Sequence, residues 1–356
     1  MKRKINVFLG GFTNYTNAQN LNCRAVALHL DKQKFHVYTL ALAEGQLPSL
    51  KGLDGITVFR CFRPLAVSMR LGFCWGICRC DVAYLPKSEL WRFNKFLLQL
   101  LRKPCFSTME GIIDADARQS ITARIGDFDQ YLKSRSFFDK HYSITAFIRE
   151  YNQKAIGLAS DDVVLSLGVD SQQFKNNTQR GVLRKAVLIG NDLLRKGIFD
   201  YLEIAAKFPA ISFVIAGSGN GKIDVQQLIR ERALLNVTYI GMVNTGQLAG
   251  LLAGADLHIL PSRSEGFPKV ILEAAAAGVP SVVYDDYGAQ QWIEHGKNGW
   301  VVQTIADMIE IVALLSANPD LLRNASNQAV QLADTFDWKL QIGSWEQLIE
   351  DIVKTR

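Results

Sequence analysis

Glu265-Gly266-Phe267-Pro268-Lys269-Val270-Ile271-Leu272-Glu273 is the stretch on which the fold of this chain turns. Two carboxylates stand eight positions apart, the first in a Gly-Pro loop and the second inside an apolar run. Pro268 suits the first turn of a helix, where its missing N–H leaves nothing unsatisfied. The pattern predicts a helix from about Lys269 to Ala277, stopped at Gly278-Val279-Pro280. Glu265 then lies just before a helix N-terminus and Glu273 in its second turn. The free N–H groups of that first turn would point at an anion or a sugar oxygen. Glu273 has Val270, Ile271, Leu272 and Ala274 to Ala277 around it, and a buried carboxylate is costly without a partner. Either it pairs with Lys269 at i, i+4 on a narrow wet stripe, or it accepts hydrogen bonds from a ligand diol such as a ribose.

Working outward, Ala255 to Ser262 reads as a short strand ending in a Pro-Ser turn, and Gly278 to Tyr284 as a glycine turn entering another strand. Gly288, Glu294, Gly296 and Gly299-Trp300-Val301-Val302 follow. This order resembles the donor-binding half of the family-4 retaining glycosyltransferases of the GT-B fold. Their signature is a strand ending in Pro-Ser, then Glu-Gly-Phe-Pro, then a second Glu after seven residues. The resemblance runs over residues 183–302 and thins before residue 140. It implies an α/β chain of two Rossmann-like, doubly wound parallel-sheet domains facing a cleft.

Composition bounds the same answer. A chain of 356 residues holds about two domains, and 48% hydrophobic residues can fill their cores. No run of 18 apolar residues occurs, so no membrane-spanning helix is expected. Met1-Lys2-Arg3-Lys4 leads into Asn6 and Gly10-Gly11, which reads as a first strand and not as a signal peptide. The expected compartment is the cytoplasm, with the six cysteines reduced. Cys74, Cys78 and Cys80 have no fourth zinc ligand at a usual spacing. Net charge is +6, and Arg60 to Lys103 carries nine Lys/Arg against Asp81 and Glu89. No nucleic-acid recognition motif accompanies that charge. It fits an anionic lipid surface at the inner membrane face, a pyrophosphate-linked acceptor, or a plain solvated basic face. Trp91-Arg92-Phe93-Asn94-Lys95-Phe96-Leu97-Leu98 has the mix of an interfacial helix, although Phe93, Phe96, Leu97, Leu100 and Leu101 could equally form a core stripe.

Strands alternate with helices throughout, the pattern of parallel doubly wound sheets. Strands are expected at Ile5 to Leu9, Phe35 to Leu40, Ile56 to Arg60, Asp81 to Leu85 and Cys105 to Thr108, with helices at Ala18 to Asp31 and Glu89 to Arg102. A second series comprises Ala186 to Ile189, Ile211 to Ala216, Val237 to Ile240, Asp256 to Leu260, Ser281 to Tyr284 and Trp300 to Val302. The expected plan is an acceptor-binding domain over residues 1–170, a polar linker over 171–182, and a nucleotide-sugar-binding domain over 183–336. The helix over 337–356, with Trp338, Trp345, Leu348, Ile349 and Ile352 on one stripe, would return to the first domain as in the GT-B fold.

The resemblance also distributes roles. Gly190 to Gly197 looks like the family's pyrophosphate loop, with Lys196 at the lysine, Asn191 where an arginine is usual, and Arg195 able to supply the second charge. Two cations there would offset charge growing on a diphosphate as the glycosidic bond breaks. Glu265 would hold donor-sugar hydroxyls and Glu273 the ribose, while Gly266, Phe267, Pro268, Lys269 and Val270 face sugar and phosphates. Gly217 in Ala216 to Lys222 would line the donor site, and Met242 and Val243 would hold the base through backbone groups. Gly10-Gly11 matches the glycine turn after the first strand, near the donor phosphates, or is a plain turn. Thr108-Met109-Glu110-Gly111 stands where relatives carry a histidine. Glu110 there is a candidate acceptor-side or donor-sugar contact, or a loop carboxylate. Candidate catalytic residues are thus Glu265, Lys196, Arg195 and Glu110.

The implied activity is a retaining, metal-independent hexosyl transfer from a UDP- or GDP-linked sugar to a glycan, glycolipid or other hydroxyl acceptor, in cell-surface polysaccharide assembly. Its transition state would be oxocarbenium-like. No cofactor is expected, the nucleotide sugar being a substrate. The pairs Asp114/Asp116 and Asp127/Asp129 have a metal-binding spacing but stand far from the donor motifs in the chain. The departures at Asn191 and Glu110 keep open a catalytically silent binding subunit, and the two-domain fold a nucleotide-sugar epimerase.

Overall fold

A computed structural model describes residues 3–87, 90–176, 178 and 180–355. Glu89, and Asn177 and Gln179 of the stretch 171–182, lie outside the described residues. The chain divides into two compact units, Met1–Leu167 with Trp338–Arg356, and Gly168–Asp337.

The first unit runs β1 (Ile5–Phe12), α1 (Ala18–His29), β2 (Phe35–Leu42), β3 (Ile56–Cys61), α2 (Leu65–Arg79), β4 (Val82–Tyr84), α3 (Trp91–Leu100), β5 (Cys105–Met109), α4 (Ala115–Ile125), α5 (Phe128–Arg135), β6 (Lys140–Ser143) and α6 (Ala146–Ile156). All strands are parallel, in the order β3-β2-β1-β4-β5-β6. Val7, Phe8 and Leu9 of β1 are fully buried, as a strand covered on both faces requires. Asn17 begins α1 by accepting from the Asn20 N–H at 2.9 Å. Asp114 and Asp127 do the same for α4 and α5, accepting from the N–H groups of Ala117 at 2.7 Å and Asp129 at 3.0 Å. Helix capping thus accounts for the first carboxylate of each Asp-x-Asp pair.

Two expectations for this unit are corrected. Gly10 and Gly11 do not form a turn after the first strand; β1 runs on through them to Phe12, with its register broken between Leu9 and Phe12. Both are buried, and the cause is packing. A Cβ on Gly10 would meet the Leu85 side chain at 2.5 Å, and one on Gly11 the Cys23 Sγ at 2.7 Å. The proposed core stripe on α3 is also split. Phe93 and Leu97 pack on the core, whereas Phe96 and Leu100 are 62% and 65% exposed.

The second unit runs α7 (Ser171–Phe174), β7 (Lys185–Asn191), α8 (Ile198–Lys207), β8 (Ser212–Ser218), α9 (Val225–Glu231), β9 (Val237–Gly241), α10 (Thr245–Ala253), β10 (Leu257–Leu260), α11 (Lys269–Ala276), β11 (Ser281–Tyr284), β12 (Gly299–Val302), α12 (Ile305–Ala317) and α13 (Pro319–Thr335). Its parallel sheet is ordered β12-β11-β10-β7-β8-β9. The stretch 171–182 is built into this unit. Helix α7 packs on α11, and buried Arg180 donates from Nε to the Ala255 carbonyl at 2.7 Å and from Nη2 to the Leu252 carbonyl at 3.1 Å. A guanidinium there meets the negative end of α10.

The last helix, α14 (Trp338–Lys354), belongs to the first unit and packs on α1 and β4. Trp345 is fully buried, its Nε1 donates to the Ser166 carbonyl at 3.0 Å, and its ring stands edge-on to Tyr84 at 5.2 Å. No helix among the described residues is long and apolar enough to cross a membrane.

Candidate functional site

In the second sheet the chain leaves β7 toward β8 on one side and reaches β10 on the other. The crevice at such a reversal, beyond the carboxyl ends of the strands, is where open α/β sheets bind ligands. Two loops meet there. One joins β7 to α8 and carries Arg195 and Lys196; the other joins β10 to α11 and carries Glu265.

Gly197 closes the first loop at φ +79°, and a Cβ on it would lie 1.9 Å from the Pro261 carbonyl oxygen, so only glycine lets the two loops touch. Gly217 on β8 plays the same part beside Gly190 of β7, where a Cβ would fall 1.8 Å from the Gly190 carbonyl oxygen. Ser262 ties the loops together, donating to the Arg195 carbonyl at 3.1 Å and the Ser264 carbonyl at 3.3 Å.

The outcome is a charge cluster. Lys196 Nζ lies 2.6 Å from Glu265 Oε1, and Arg195 Nη1 lies 3.5 Å from Glu265 Oε2. Arg195 also donates to the Ser264 carbonyl. Glu265 and Lys196 are 5% and 8% exposed, whereas Arg195 is half out in solvent. One carboxylate against two cations leaves a net +1. Burial pushes the Lys196 ammonium below its ordinary value, and Glu265 pulls the other way. Beside the cluster α11 begins after Pro268 with no side-chain cap, and its positive end, where the Ile271 N–H turns back to the Pro268 carbonyl at 2.9 Å, faces the loop that carries Glu265. Phe267 is fixed by the rings of Trp292 at 5.2 Å and Phe336 at 5.6 Å.

Glu273 occupies the second turn of α11, partly accessible while Val270, Ile271, Leu272 and Ala274 are buried. Desolvation lifts its carboxyl to about 6 against the pull of Lys269. Met242, 61% exposed, and Val243 follow β9 at the far edge of the sheet, beyond β8. Glu110 lies in the first unit, as do Gly10 and Gly11. Its Oε2 accepts from Asn22 Nδ2 at 2.8 Å and its Oε1 from Thr108 Oγ1 at 3.2 Å and the Tyr84 hydroxyl at 3.4 Å, so it is held by its own unit's side chains.

Sequence reasoning missed three members of this neighbourhood. Asp192, at φ +60°, accepts from Lys222 Nζ at 2.8 Å; burial would raise its carboxyl, but Lys222 outweighs it and holds the value low. The glycine turn after β8 thereby supplies a third cation near the β7 loop. His258 is fully buried in β10, its Nδ1 2.9 Å from Ser281 Oγ and its Nε2 without a partner. Burial, then the Lys196 charge, pushes this imidazole down to about 3.

A pH dependence follows. The His141 imidazole in β6 is likewise pushed to about 3 by burial and the neighbouring Arg135. A base with a depressed folded pKa loses stability as pH falls through its unfolded value, about 6.5, because the unfolded chain takes the proton. Between pH 7.5 and 5.5 each histidine costs about 1.4 kcal/mol and Glu273, raised, returns somewhat under 1 kcal/mol. Urea unfolding should therefore show a net loss of about 2 kcal/mol over that interval, and His258→Gln should remove roughly half of the histidine part. A variant with the wild-type pH slope would contradict the assignment.

Known proteins resemble this chain in sequence over its second unit and in fold over nearly its whole length. Residues 170–331 match the family model described as glycosyl transferases group 1. The chain is 26% identical over 196 residues to an uncharacterized glycosyltransferase of Haemophilus influenzae, an overlap of 52% of this chain and 55% of that protein. It thus spans about half the length of that curated relative. Sucrose-phosphate synthase from Thermosynechococcus elongatus superposes with a TM-score of 0.81 at 15% identity, over 99% of this chain and 100% of that one. Anabaena HepE, solved in complex with UDP-glucose, gives 0.77 at 16%, over 99% and 100%. The fold is that of the GT-B glycosyltransferases.

Proposed function

We propose that the chain is a retaining glycosyltransferase that moves a hexosyl group from a UDP- or GDP-sugar to a hydroxyl of a glycan or lipid-linked acceptor, in cell-surface polysaccharide assembly. The observation that carries this reading is the buried Lys196–Glu265 pair, with Arg195, at the sheet's reversal point beside the uncapped start of α11. Donor diphosphate would draw Lys196 and Arg195 to itself, and Glu265, released from them, would accept from sugar hydroxyls. Charge growing on the leaving diphosphate is then met by cations already in place, so no metal is required. Glu273 takes the ribose hydroxyls, backbone groups of Gly266 to Val270 the sugar and phosphates, and the ends of β8 and β9, at Gly217, Met242 and Val243, the nucleoside. A phosphate oxygen of the donor takes the acceptor proton as the new bond forms on the same face. The first unit, with Glu110, takes the acceptor.

A thermal-shift screen of UDP- and GDP-sugars tests the donor side, since a ligand at about 100 times its Kd raises stability by about 2.7 kcal/mol. Slow donor hydrolysis, unaffected by chelator, is the expected turnover. Binding with no turnover would leave a silent subunit, and release of a sugar isomer an epimerase.

We also place the first unit on the anionic inner face of a membrane. Phe62, Leu65, Val67 and Leu71 around α2, and Phe96 and Leu100 on the contacting α3, are exposed among Arg63, Arg70, Arg92 and Lys95. Each basic residue near such a surface contributes about 1 kcal/mol and is screened by salt. Pelleting with anionic but not neutral vesicles, reversed by salt, is the expected result. Equal pelleting with both, or none, would leave an enzyme that works off the membrane.

A further inference from the structure

At the carboxyl ends of β1, β4 and β5 the first unit holds a cavity of about 750 Å3. Asn17 and Gln19 at the start of α1, Trp91 at the start of α3, Glu110 after β5, Ile121 of α4 and Arg135 of α5 lie on its wall. Its volume is that of a small-molecule site, and it sits at the reversal of the first sheet as the charge cluster does at that of the second.

Arg135 is the unexplained residue. It is only 8% exposed, yet its Nε meets no acceptor. Nη1 donates to Ser107 Oγ at 3.3 Å, and the guanidinium carbon stands 5.3 Å from the Tyr131 ring centre. Neither contact supplies a negative charge, and no carboxylate among the described residues pairs with it. A buried cation without a counter-charge is costly unless something completes it. The nearby carboxylate, Glu110, is engaged by Asn22, Thr108 and Tyr84 instead. Ala117, Ile121 and Ile125 make the α4 side of the cavity apolar.

We infer that this cavity binds an amphiphilic phosphate, its anionic group on Arg135 and its apolar portion along Ile121 and Ile125. Guanidinium geometry matches phosphate, and the apolar α4 side beside it offers an alkyl portion a surface to bury against. The inference rests on the transferase reading and deepens it: the acceptor is a phosphate-bearing, alkyl- or lipid-linked molecule and not a neutral sugar.

Calorimetry on the full chain tests it, with n-octyl phosphate as probe and n-octyl glucoside and inorganic phosphate as its uncharged and tail-less counterparts. Octyl phosphate should bind at least tenfold more tightly than either. Arg135→Gln should weaken it at least tenfold, Arg135→Lys less, and Ala117→Trp, which fills the α4 side and leaves Arg135 in place, should abolish it. UDP titrated into the same proteins separates the two readings. Octyl phosphate binding that depends on Arg135 without UDP binding keeps this site and sinks the donor reading; the reverse keeps the donor reading and sinks this site. Equal affinity for octyl phosphate and either counterpart overturns the inference. So does wild-type affinity in folded Arg135→Gln, or, should that variant not fold, in Ala117→Trp.

Discussion

Lys196→Ala should lower turnover by about a hundred- to a thousand-fold, the loss seen when one preorganised group facing developing charge is removed. The same change should also lower stability. Glu265 is 5% exposed and its shorter contact, 2.6 Å, is with Lys196. Removing one partner of a buried pair strands the other and costs about 3 to 5 kcal/mol. Arg195, at 3.5 Å and half exposed, recovers only part of that. Loss of activity in Lys196→Ala alone is therefore ambiguous, and a second protein resolves it. Lys196→Met combined with Glu265→Gln removes both charges and keeps similar volumes, so stability should return toward wild type while turnover stays low. Chelator should leave the wild-type rate unchanged. Turnover within tenfold of wild type in folded Lys196→Ala, or activity abolished by chelator and restored by a divalent cation, would sink the assignment of these cations to the leaving diphosphate.

The alternation of buried strands and helices was legible because each strand is an apolar run covered on both faces. Ser281–Tyr284 has the same limits in sequence and structure, and the other apolar strands shift by a residue or a few at their ends. β6 was not legible, since Lys140-His141-Tyr142-Ser143 has two polar residues at its open end and only Tyr142 and Ser143 are buried. Gly10-Gly11 misled for a related reason: glycine marks a turn or a close approach, and here the approaching groups, Leu85 and Cys23, come from distant parts of the chain. The same limit applies to the candidate site. Glu265 and Lys196 could each be singled out from local pattern, but their pairing spans 69 positions and exists because β10 lies next to β7. Nothing local to Arg135 or His258 shows that the fold buries one beside a cavity and the other under Lys196.

Glu273→Gln should move binding and stability in opposite directions. Desolvation raises the folded carboxyl to about 6 from an ordinary 4.5, so at neutral pH the folded protein holds a charge that burial disfavours. For a carboxyl with a raised folded pKa, stability is lost as pH climbs from the unfolded value through the folded one. A shift of that size amounts to about 2 kcal/mol, less where the group keeps some water, as Glu273 does. The amide carries no such penalty. The variant should therefore be about 1 to 2 kcal/mol more stable than wild type in urea at pH 7; the gap should shrink to under about 0.5 kcal/mol by pH 4.5, where the unfolded carboxyl is half protonated, and close by about pH 3.5, where wild type is protonated in both states. Binding should respond the other way, because an ionised carboxylate accepting from ribose hydroxyls contributes about 1 to 3 kcal/mol. UDP or GDP affinity should fall by about five- to 150-fold, measured by calorimetry at pH 7. A costly charge kept at a ligand site for the ligand's sake is the arrangement this pair of measurements detects. If the variant is instead less stable at pH 7 with nucleotide affinity unchanged, Glu273 serves α11 through Lys269 and the ribose assignment falls.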